Sequence, residues 1–333
     1  MQHTAHGGSL ETTGAWTGPP RRRPAAADAP GTVAAVIADL ATRRRTVVRR
    51  VLSWYAENAR DLPWRRPEAT PWEVLVSEFM LQQTPVHRVR EPWRAWVERW
   101  PSPAALAAAP SGEAVRAWGR LGYPRRALRL HQTAVAITER YDGEVPAERE
   151  ALLSLPGVGS YTAAAVASFA YGRREVVLDT NVRRVLSRID AGVAQPTPAQ
   201  TVPELAVAAA YLPVSAARAA CWAVAAMELG ALVCVARTPR CGACPVRDQC
   251  AWRAAGFPVW EGPLRRGQGY DGTDRQCRGA LLAVLRSSDE PVTQAELAAA
   301  WSAPEQRERA LTSLLADGLV VLLPNARLAL PGS

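Results

Sequence analysis

The stretch Leu155-Pro156-Gly157-Val158-Gly159-Ser160 separates a predicted short helix at about 148–154 from a longer helical run at 161–171. Its two glycines allow the backbone to come close to a phosphate group, and the amides that open the second helix point toward such an anion. This order of helix, glycine turn and helix predicts a DNA-binding helix-hairpin-helix. A glycine turn of this kind can also merely join two helices, so other features of the chain must decide between these interpretations.

Four cysteines are crowded into 17 residues, at Cys234, Cys241, Cys244 and Cys250. Four thiolates at these spacings are enough to hold an iron–sulfur cubane, which predicts a [4Fe-4S] cluster. A zinc site is the alternative. Zinc frameworks usually separate two close pairs of ligands by a longer spacer, and no histidine follows His131, so the cluster is favoured.

Two carboxylates lie in contrasting predicted surroundings. A helix predicted at about 71–83 places mostly apolar neighbours one turn from Glu78, so burial should raise the pKa of that carboxyl and keep it protonated. Asp179 precedes another helix, whose dipole favours an ionised carboxylate. One acid and one fixed anion suit glycosidic cleavage through an oxocarbenium-like state. Taken alone, Asp179 could be only a helix cap and Glu78 only a surface residue.

The composition suits a polyanionic partner. The chain has 333 residues and a formal charge of +9. It contains 40 arginines and no lysine. Each phosphate contact would release counterions and add affinity, although a basic coat for solubility or a genomic bias toward arginine is the alternative. No apolar run is long enough for a signal peptide or a membrane span. This predicts no membrane association and a cytoplasmic, nucleoid-associated location. We also expect a monomer.

The pattern along the chain indicates four regions. Residues 1–44 are rich in Pro, Gly, Ala and Arg without apolar periodicity, which predicts a disordered basic tail. Helical patterns with few strand-like runs continue over 45–253, so the expected fold class of this body is all-α. A linker rich in Gly and Pro at 254–275 leads to three helical patterns and a hairpin at 276–331, typical of a small winged-helix-like module.

Six motifs together identify a family. In chain order they are Arg60-Asp61-Leu62-Pro63-Trp64-Arg65, Ser77-Glu78-Phe79-Met80-Leu81-Gln82-Gln83-Thr84, Leu121-Gly122-Tyr123, the hairpin at 155–162, Leu178-Asp179-Thr180-Asn181-Val182-Arg183-Arg184-Val185, and the four cysteines. They resemble MutY-type adenine DNA glycosylases, members of the endonuclease III-like helix-hairpin-helix superfamily, over about residues 46–253.

The resemblance implies a two-lobed helix-hairpin-helix DNA glycosylase fold, with DNA bound across the cleft between the lobes. One lobe would be a helical barrel at about 70–182, and the other would hold the [4Fe-4S] cluster and consist of about 45–69 and 183–253. It implies a monofunctional enzyme of base excision repair, whose partner is double-stranded DNA with an adenine mispaired with 8-oxoguanine or guanine.

The resemblance also implies roles for individual residues. Glu78 resembles the acid that protonates the adenine ring, and Asp179 the carboxylate that stabilises or captures the sugar cation, with Tyr161 and Asn181 as their hydrogen-bonding supports. The residues that match substrate-binding or DNA-binding positions are Arg60, Trp64, Leu81 and Glu228 in the adenine pocket, Gln83 and Tyr123 as wedges in the base stack, Arg65 and Thr84 beside these motifs, Gly157 and Gly159 in the hairpin, and Arg237 and Arg240 at phosphates.

Two departures from the family pattern stand out. The usual Asp-Gly-Asn is Asp179-Thr180-Asn181 here, a change that keeps both polar residues. The family's usual C-terminal domain resembles a Nudix fold and reads 8-oxoguanine through a Phe-Ser-His loop, for which this sequence has no counterpart, since Phe257 is the last phenylalanine and His131 the last histidine.

Three rival functions share some of these features. An endonuclease III-like lyase has a Schiff-base lysine where Tyr161 stands, and this chain contains no lysine. A thymine or uracil mismatch glycosylase could use the same scaffold, but Glu78 favours adenine because departure of adenine benefits from ring protonation. A non-catalytic iron–sulfur DNA-binding protein is disfavoured by the presence of both acids in pocket motifs.

Overall fold

The computed structural model describes residues 30–262 and 269–332 and is built almost entirely of helices. The α-helices are α1 (Pro30–Asn58), α2 (Pro71–Leu81), α3 (Val86–Arg99), α4 (Pro103–Ala107), α5 (Ser111–Trp118), α6 (Arg125–Arg140), α7 (Arg149–Leu153), α8 (Ser160–Tyr171), α9 (Thr180–Ile189), α10 (Val202–Ala210), α11 (Ala216–Leu232), α12 (Ala251–Ala254), α13 (Asp274–Ser287), α14 (Gln294–Ala300) and α15 (Pro304–Ala316). Short 3-10 turns lie at Pro63–Arg65, Cys241–Ala243 and Arg247–Gln249. Within the described ranges the strands are β1 (Val321–Leu322) and β2 (Leu328–Ala329), paired antiparallel. The all-α expectation for the body is confirmed.

Helix α2 begins where its sequence predicts. The Thr70 hydroxyl accepts a hydrogen bond from the Glu73 amide, the Glu73 carboxylate accepts one from the Thr70 amide, and Pro71 occupies the first turn. The helix ends at Leu81, two residues before its expected end.

The two largest hydrophobic cores correspond to the expected two lobes. The first is formed by residues of α2 to α8 and is rich in tryptophan, with Trp96 packed edge-on against both Trp100 and Trp118. The second is formed by residues of α1, α9, α10 and α11, with Tyr211 stacked on Trp222 at its centre. The two-lobed organisation is therefore confirmed.

The lobe boundaries differ from those expected. Leu62 and Trp64 pack in the first core, although 45–69 was assigned to the second lobe. Leu178 and Val182 pack in the second core, although the barrel was expected to extend to residue 182. At both boundaries, therefore, residues expected in one lobe contribute their side chains to the core of the other lobe.

Helix α1 corrects the prediction of a disordered tail over 1–44, because it begins at Pro30. Its Ala, Leu and Arg residues are good helix formers, so helical structure forms without a strict apolar period. Arg43 donates to the carbonyls of Ile189 and Gln249, 2.6 Å from each, and joins the helix to the second lobe. Residues 1–29 of the expected tail lie outside the described part of the chain.

The segment after residue 273 packs on the first lobe. Leu281, Leu285 and Leu314 belong to the same hydrophobic core as Trp118. The Gly112 amide of α5 donates to the Pro331 carbonyl at 2.6 Å, and an added Cβ at Gly112 would lie 2.6 Å from that oxygen, so this contact needs a glycine.

Three helices and a hairpin appear in this segment, as the sequence predicts. Helix α13 begins at Asp274, one residue before the expected end of the linker, and linker residues 263–268 lie outside the described ranges. The winged-helix assignment stays a prediction. No helix in the described part of the chain has the length and apolar character needed to cross a membrane.

Candidate active site

Glu78 is buried on the inner face of α2, with 6% of its surface exposed. The pKa of this carboxyl is raised to about 7, chiefly by burial and also by the negative charge of Asp179, although a hydrogen bond from the Tyr161 hydroxyl and the positive charge of Arg65 act in the other direction. The expectation of a raised pKa is confirmed. A carboxyl with this pKa can donate a proton at neutral pH.

Asp179 caps the N-terminus of α9. Its Oδ1 accepts a hydrogen bond from the Val182 amide at 2.7 Å, and its Oδ2 accepts one from Asn181 Nδ2 at 2.8 Å. Burial raises the pKa of Asp179 above its ordinary value, although these hydrogen bonds and the positive charge of Arg184 act in the other direction. The helix dipole alone would favour the ionised form of Asp179, and the raised pKa follows from the depth of burial, which the sequence does not reveal.

The two carboxylates differ in what stabilises their charged forms. Asp179 accepts hydrogen bonds from the Val182 backbone amide and the Asn181 side-chain amide, whereas Glu78 accepts one from Tyr161. A negative charge on either carboxylate disfavours ionisation of the other. Because Asp179 has more hydrogen-bond donors, it is the one that ionises first, and Glu78 keeps its proton. The arrangement therefore provides one acid and one anion in the same site.

Tyr161 and Asn181 hold the carboxylates in place. Burial raises the pKa of Tyr161 well above its ordinary range, so its hydroxyl stays neutral and can donate to Glu78. The Asn181 amide is oriented by Arg184, whose Nη2 donates to Asn181 Oδ1 at 2.8 Å. A Cβ at Gly230 would lie 2.7 Å from Asn181 Cβ, so this glycine lets α11 pass close to α9.

Arg184 is a residue whose role the sequence analysis missed. Besides contacting Asn181, it donates to the carbonyls of Gly230 and Cys234, both at 2.7 Å, and so links the Asp179 end of α9 to the cysteine segment. Its position three residues after Asn181, one helical turn further on, was the available signal.

Glu228 is fully buried in α11. Burial alone would raise its pKa, but hydrogen bonds from Arg60 and Arg65 and the charge of Arg65 lower it overall. Arg60 binds both carboxylate oxygens at 2.7 Å, and Arg65 binds Oε2 at 2.9 Å. Trp64 is buried in the turn between the two arginines, so three of the four predicted pocket residues, Arg60, Trp64 and Glu228, lie together with Arg65.

The hairpin lies between α7 and α8 as expected. Gly157 has a φ of +77°, and an added Cβ would lie 2.9 Å from Arg129 Cβ, so this position requires glycine. Gly159 is exposed, and an added Cβ there would have no protein atom within 4 Å. The start of α8 is therefore exposed, which leaves room for a phosphate to approach its first amides.

The residues predicted to contact DNA beside the pocket fall into two groups. Gln83 and Tyr123 are exposed, while Leu81 is half-buried against the first core. Thr84 is buried, and its hydroxyl bonds to the Leu121 carbonyl at 3.3 Å, so it holds two loops together. The contact of Thr84 with substrate or DNA stays a prediction.

The four cysteines line one cavity, which Ile189, Leu229 and Val233 of the second lobe close on the inner side. In the described part of the chain, no three His, Cys, Asp or Glu side chains are grouped so that they could hold a single metal ion. Arg188 Nη1 lies 3.4 Å from Cys234 Sγ and donates to it. Arg237 and Arg240 are exposed on the loop between the first two cysteines, where phosphates can reach them.

Two family models match this chain. One describes HhH-GPD superfamily base excision DNA repair proteins and matches residues 76–209, which contain Glu78, the hairpin and Asp179. The other describes the iron-sulfur binding domain of endonuclease III and matches residues 234–250, from the first cysteine to the last. The chain therefore has the helix-hairpin-helix glycosylase fold, and its four cysteines hold a [4Fe-4S] cluster, not zinc.

Relatives and solved structures agree with these models. The adenine DNA glycosylase of Mycobacterium tuberculosis strain H37Rv is 56% identical over 283 residues, which cover 85% of this chain and 92% of the relative. The structure of a thermostable thymine-DNA glycosylase has a TM-score of 0.58 at 26% identity, over 64% of this chain and 98% of that one. A non-covalent endonuclease III–DNA complex has a TM-score of 0.56 at 22% identity, over 65% and 98%, a likeness of fold.

Proposed function

Since the chain belongs to the adenine DNA glycosylase family, we propose that it removes adenine mispaired with 8-oxoguanine or guanine from double-stranded DNA. The family membership makes the chain a DNA glycosylase of base excision repair, a hydrolase that cleaves an N-glycosidic bond. The observation that carries the choice of adenine is the buried Glu78, whose pKa of about 7 keeps a proton available at neutral pH. Departure of adenine is assisted when its ring nitrogen is protonated.

The geometry supports a division of labour between the two carboxylates. The target adenine leaves the base stack and enters the pocket formed by Arg60, Trp64, Leu81 and Glu228. Glu78 then protonates the adenine ring as the bond to the sugar lengthens. Because Asp179 is held by hydrogen bonds from Val182 and Asn181, it presents a fixed negative charge to the sugar cation that develops.

Contacts outside the pocket would hold the duplex. The amides at Gly159 and Ser160, both exposed residues, bind a backbone phosphate on one strand. Arg237 and Arg240 on the cysteine loop bind further phosphates, and this electrostatic contribution is independent of sequence. Gln83 and Tyr123 enter the space that the extruded adenine leaves.

Cys234, Cys241, Cys244 and Cys250 hold the [4Fe-4S] cluster, and none of them belongs to the group that surrounds Glu78 and Asp179. When bound, the cluster fixes the loop that carries the phosphate-binding arginines and supplies a redox couple that responds to hydrogen bonds at its sulfur atoms.

Base preference tests the proposal directly. We expect single-turnover release of adenine opposite 8-oxoguanine to be faster than opposite guanine, and release of thymine opposite guanine to be undetectable. The margin between the two adenine duplexes should be smaller than for a family member with the Nudix-like reader assayed alongside, because a dedicated hydrogen-bonding reader contributes roughly 1–3 kcal/mol of selectivity. The likeness to a thymine-DNA glycosylase structure makes thymine removal the second candidate, and release of thymine faster than adenine would establish it.

The enzyme should leave the DNA strand uncut. A lyase needs an amine to form a Schiff base, and Tyr161 is a neutral phenol in a chain without lysine. We therefore expect product DNA to break only after heat or alkali. Efficient trapping of a protein–DNA adduct by borohydride would contradict this, unless the adduct mapped to the α-amino group of Met1.

A further inference from the structure

Arg126, the second residue of α6, joins two loops that the sequence analysis treated separately. It is 7% exposed, and its guanidinium lies among backbone carbonyls. Nη1 donates to the Phe79 carbonyl at 3.0 Å and to the Gln82 carbonyl, both near the C-terminal end of α2. Nη2 donates to Thr84 Oγ1 and to the Gly122 carbonyl, each at 3.2 Å. A single side chain thus connects the loop after α2 with the loop before α6.

Each of these loops carries one exposed residue in an unfavourable backbone conformation. Gln83 has a φ of +55° and Tyr123 a φ of +47°, in the left-handed region that side chains with a Cβ rarely adopt. Such conformations persist only where the surroundings enforce them. The neighbours of both residues, Gln82, Thr84 and Gly122, are the groups that Arg126 binds.

The aromatic contacts of Arg126 add to this arrangement. Its guanidinium carbon lies 5.1 Å from the centre of the Tyr123 ring and 5.5 Å from that of Trp118, which is buried in the first core. Tyr123 is 52% exposed, so one part of its ring rests against the guanidinium while the rest faces solvent. The arginine therefore fixes the Tyr123 side chain as well as its backbone.

We propose that Arg126 is a positioning residue that holds Gln83 and Tyr123 at a fixed separation, so that both side chains enter the duplex together when adenine is extruded. This inference rests on the proposed function. Because α2 also carries Glu78, the same contacts fix the distance between the acid and the two residues that replace the extruded base.

Only an arginine can make this set of contacts. Its planar fork presents several N–H donors in fixed directions, whereas a lysine ammonium cannot reach carbonyls on two loops at once. Burial lowers the pKa of Arg126 to about 10, which leaves it charged at neutral pH. The carbonyls at the end of α2 have no partner within the helix, so a cation stabilises them.

Base extrusion can be measured apart from chemistry in the Glu78→Gln variant, which should bind DNA without cleaving it. With 2-aminopurine at the target position of a mismatched duplex, extrusion is read as a rise in fluorescence at saturating protein. We expect Arg126→Lys in this background to reduce the rise at least fivefold while duplex affinity stays within threefold. Arg140→Lys, at the exposed opposite end of α6, is the matched control and should leave the signal unchanged.

Thr84→Val provides a milder variant in case Arg126→Lys fails to fold. Valine keeps the shape of threonine and removes the hydroxyl, which accepts from Arg126 Nη2 and also bonds to the Leu121 carbonyl. The link between the two loops is weakened and not lost, so we expect about a twofold smaller rise. A full fluorescence rise in every folded variant, or losses of signal and of affinity in the same proportion, would overturn the role of Arg126. A parent protein that gives no rise on any mismatched duplex would instead refute the proposed function, and this inference with it.

Discussion

Glu78→Gln and Asp179→Asn are each expected to slow adenine release by a factor on the order of 100 to 10,000, the range that positioned proton transfer supplies. Glutamine keeps the shape of Glu78 but cannot protonate the leaving base. Asparagine keeps the cap shape of Asp179 but presents no negative charge to the sugar cation. Single-turnover assays on an adenine:8-oxoguanine duplex measure both effects.

Neither substitution should weaken binding of the duplex by more than about threefold, because phosphate contacts carry most of that affinity. Glu73→Gln is the matched control for Glu78. It removes a carboxylate from the same helix, and glutamine can replace glutamate in the capping box at Thr70. A rate within threefold of the unmodified enzyme for either Glu78→Gln or Asp179→Asn would refute the assigned roles.

Local signals in the sequence were sufficient for several parts of the site. The capping box at Thr70 fixed the phase of α2, and that phase placed Glu78 on the buried face. Asp179 is both the helix cap that one interpretation proposed and a member of the buried carboxylate pair, so the two interpretations were compatible. The spacing of the four cysteines was enough to predict that they form one group, and in the structure they line one cavity.

Features that depend on distant parts of the chain were not predictable. Arg126 binds backbone carbonyls more than 40 residues earlier in the chain. Every residue has a backbone carbonyl, so the sequence cannot show which ones an arginine will bind. The docking of the C-terminal segment depends on the absence of a side chain at Gly112, and no motif in the sequence singles out this glycine. The pKa of Asp179 is raised by burial in the folded chain, and the residues next to Asp179 in the sequence do not indicate that burial.

Glu228→Gln is expected to be the most destabilising of the conservative site substitutions. The carboxylate is fully buried and accepts four hydrogen bonds, from the Arg60 amide and guanidinium and from Arg65. A glutamine would turn an N–H₂ group toward these donors and leave two guanidinium charges without a buried partner. Breaking a buried pair in this way costs about 3–5 kcal/mol, and the lower end applies because Arg60 keeps 32% of its side chain exposed.

Asp61→Asn is the matched control, since it removes the same kind of pair at the surface of the same segment. Arg66 binds both oxygens of Asp61, at 3.0 and 2.8 Å, but 69% of the Asp61 side chain and 45% of the Arg66 side chain are exposed. Water replaces the lost contacts there, so urea unfolding should show a much smaller change in the free energy of unfolding than for Glu228→Gln.

The stabilisation from Glu228 depends on pH. Because the folded-state pKa of Glu228 is lowered, this stabilisation is present above the unfolded-state pKa and is lost as pH falls through the folded-state value. The difference between the two variants should therefore shrink in acid, and equal free energies of unfolding for them at pH 7 would show that the buried pair does not hold the pocket together.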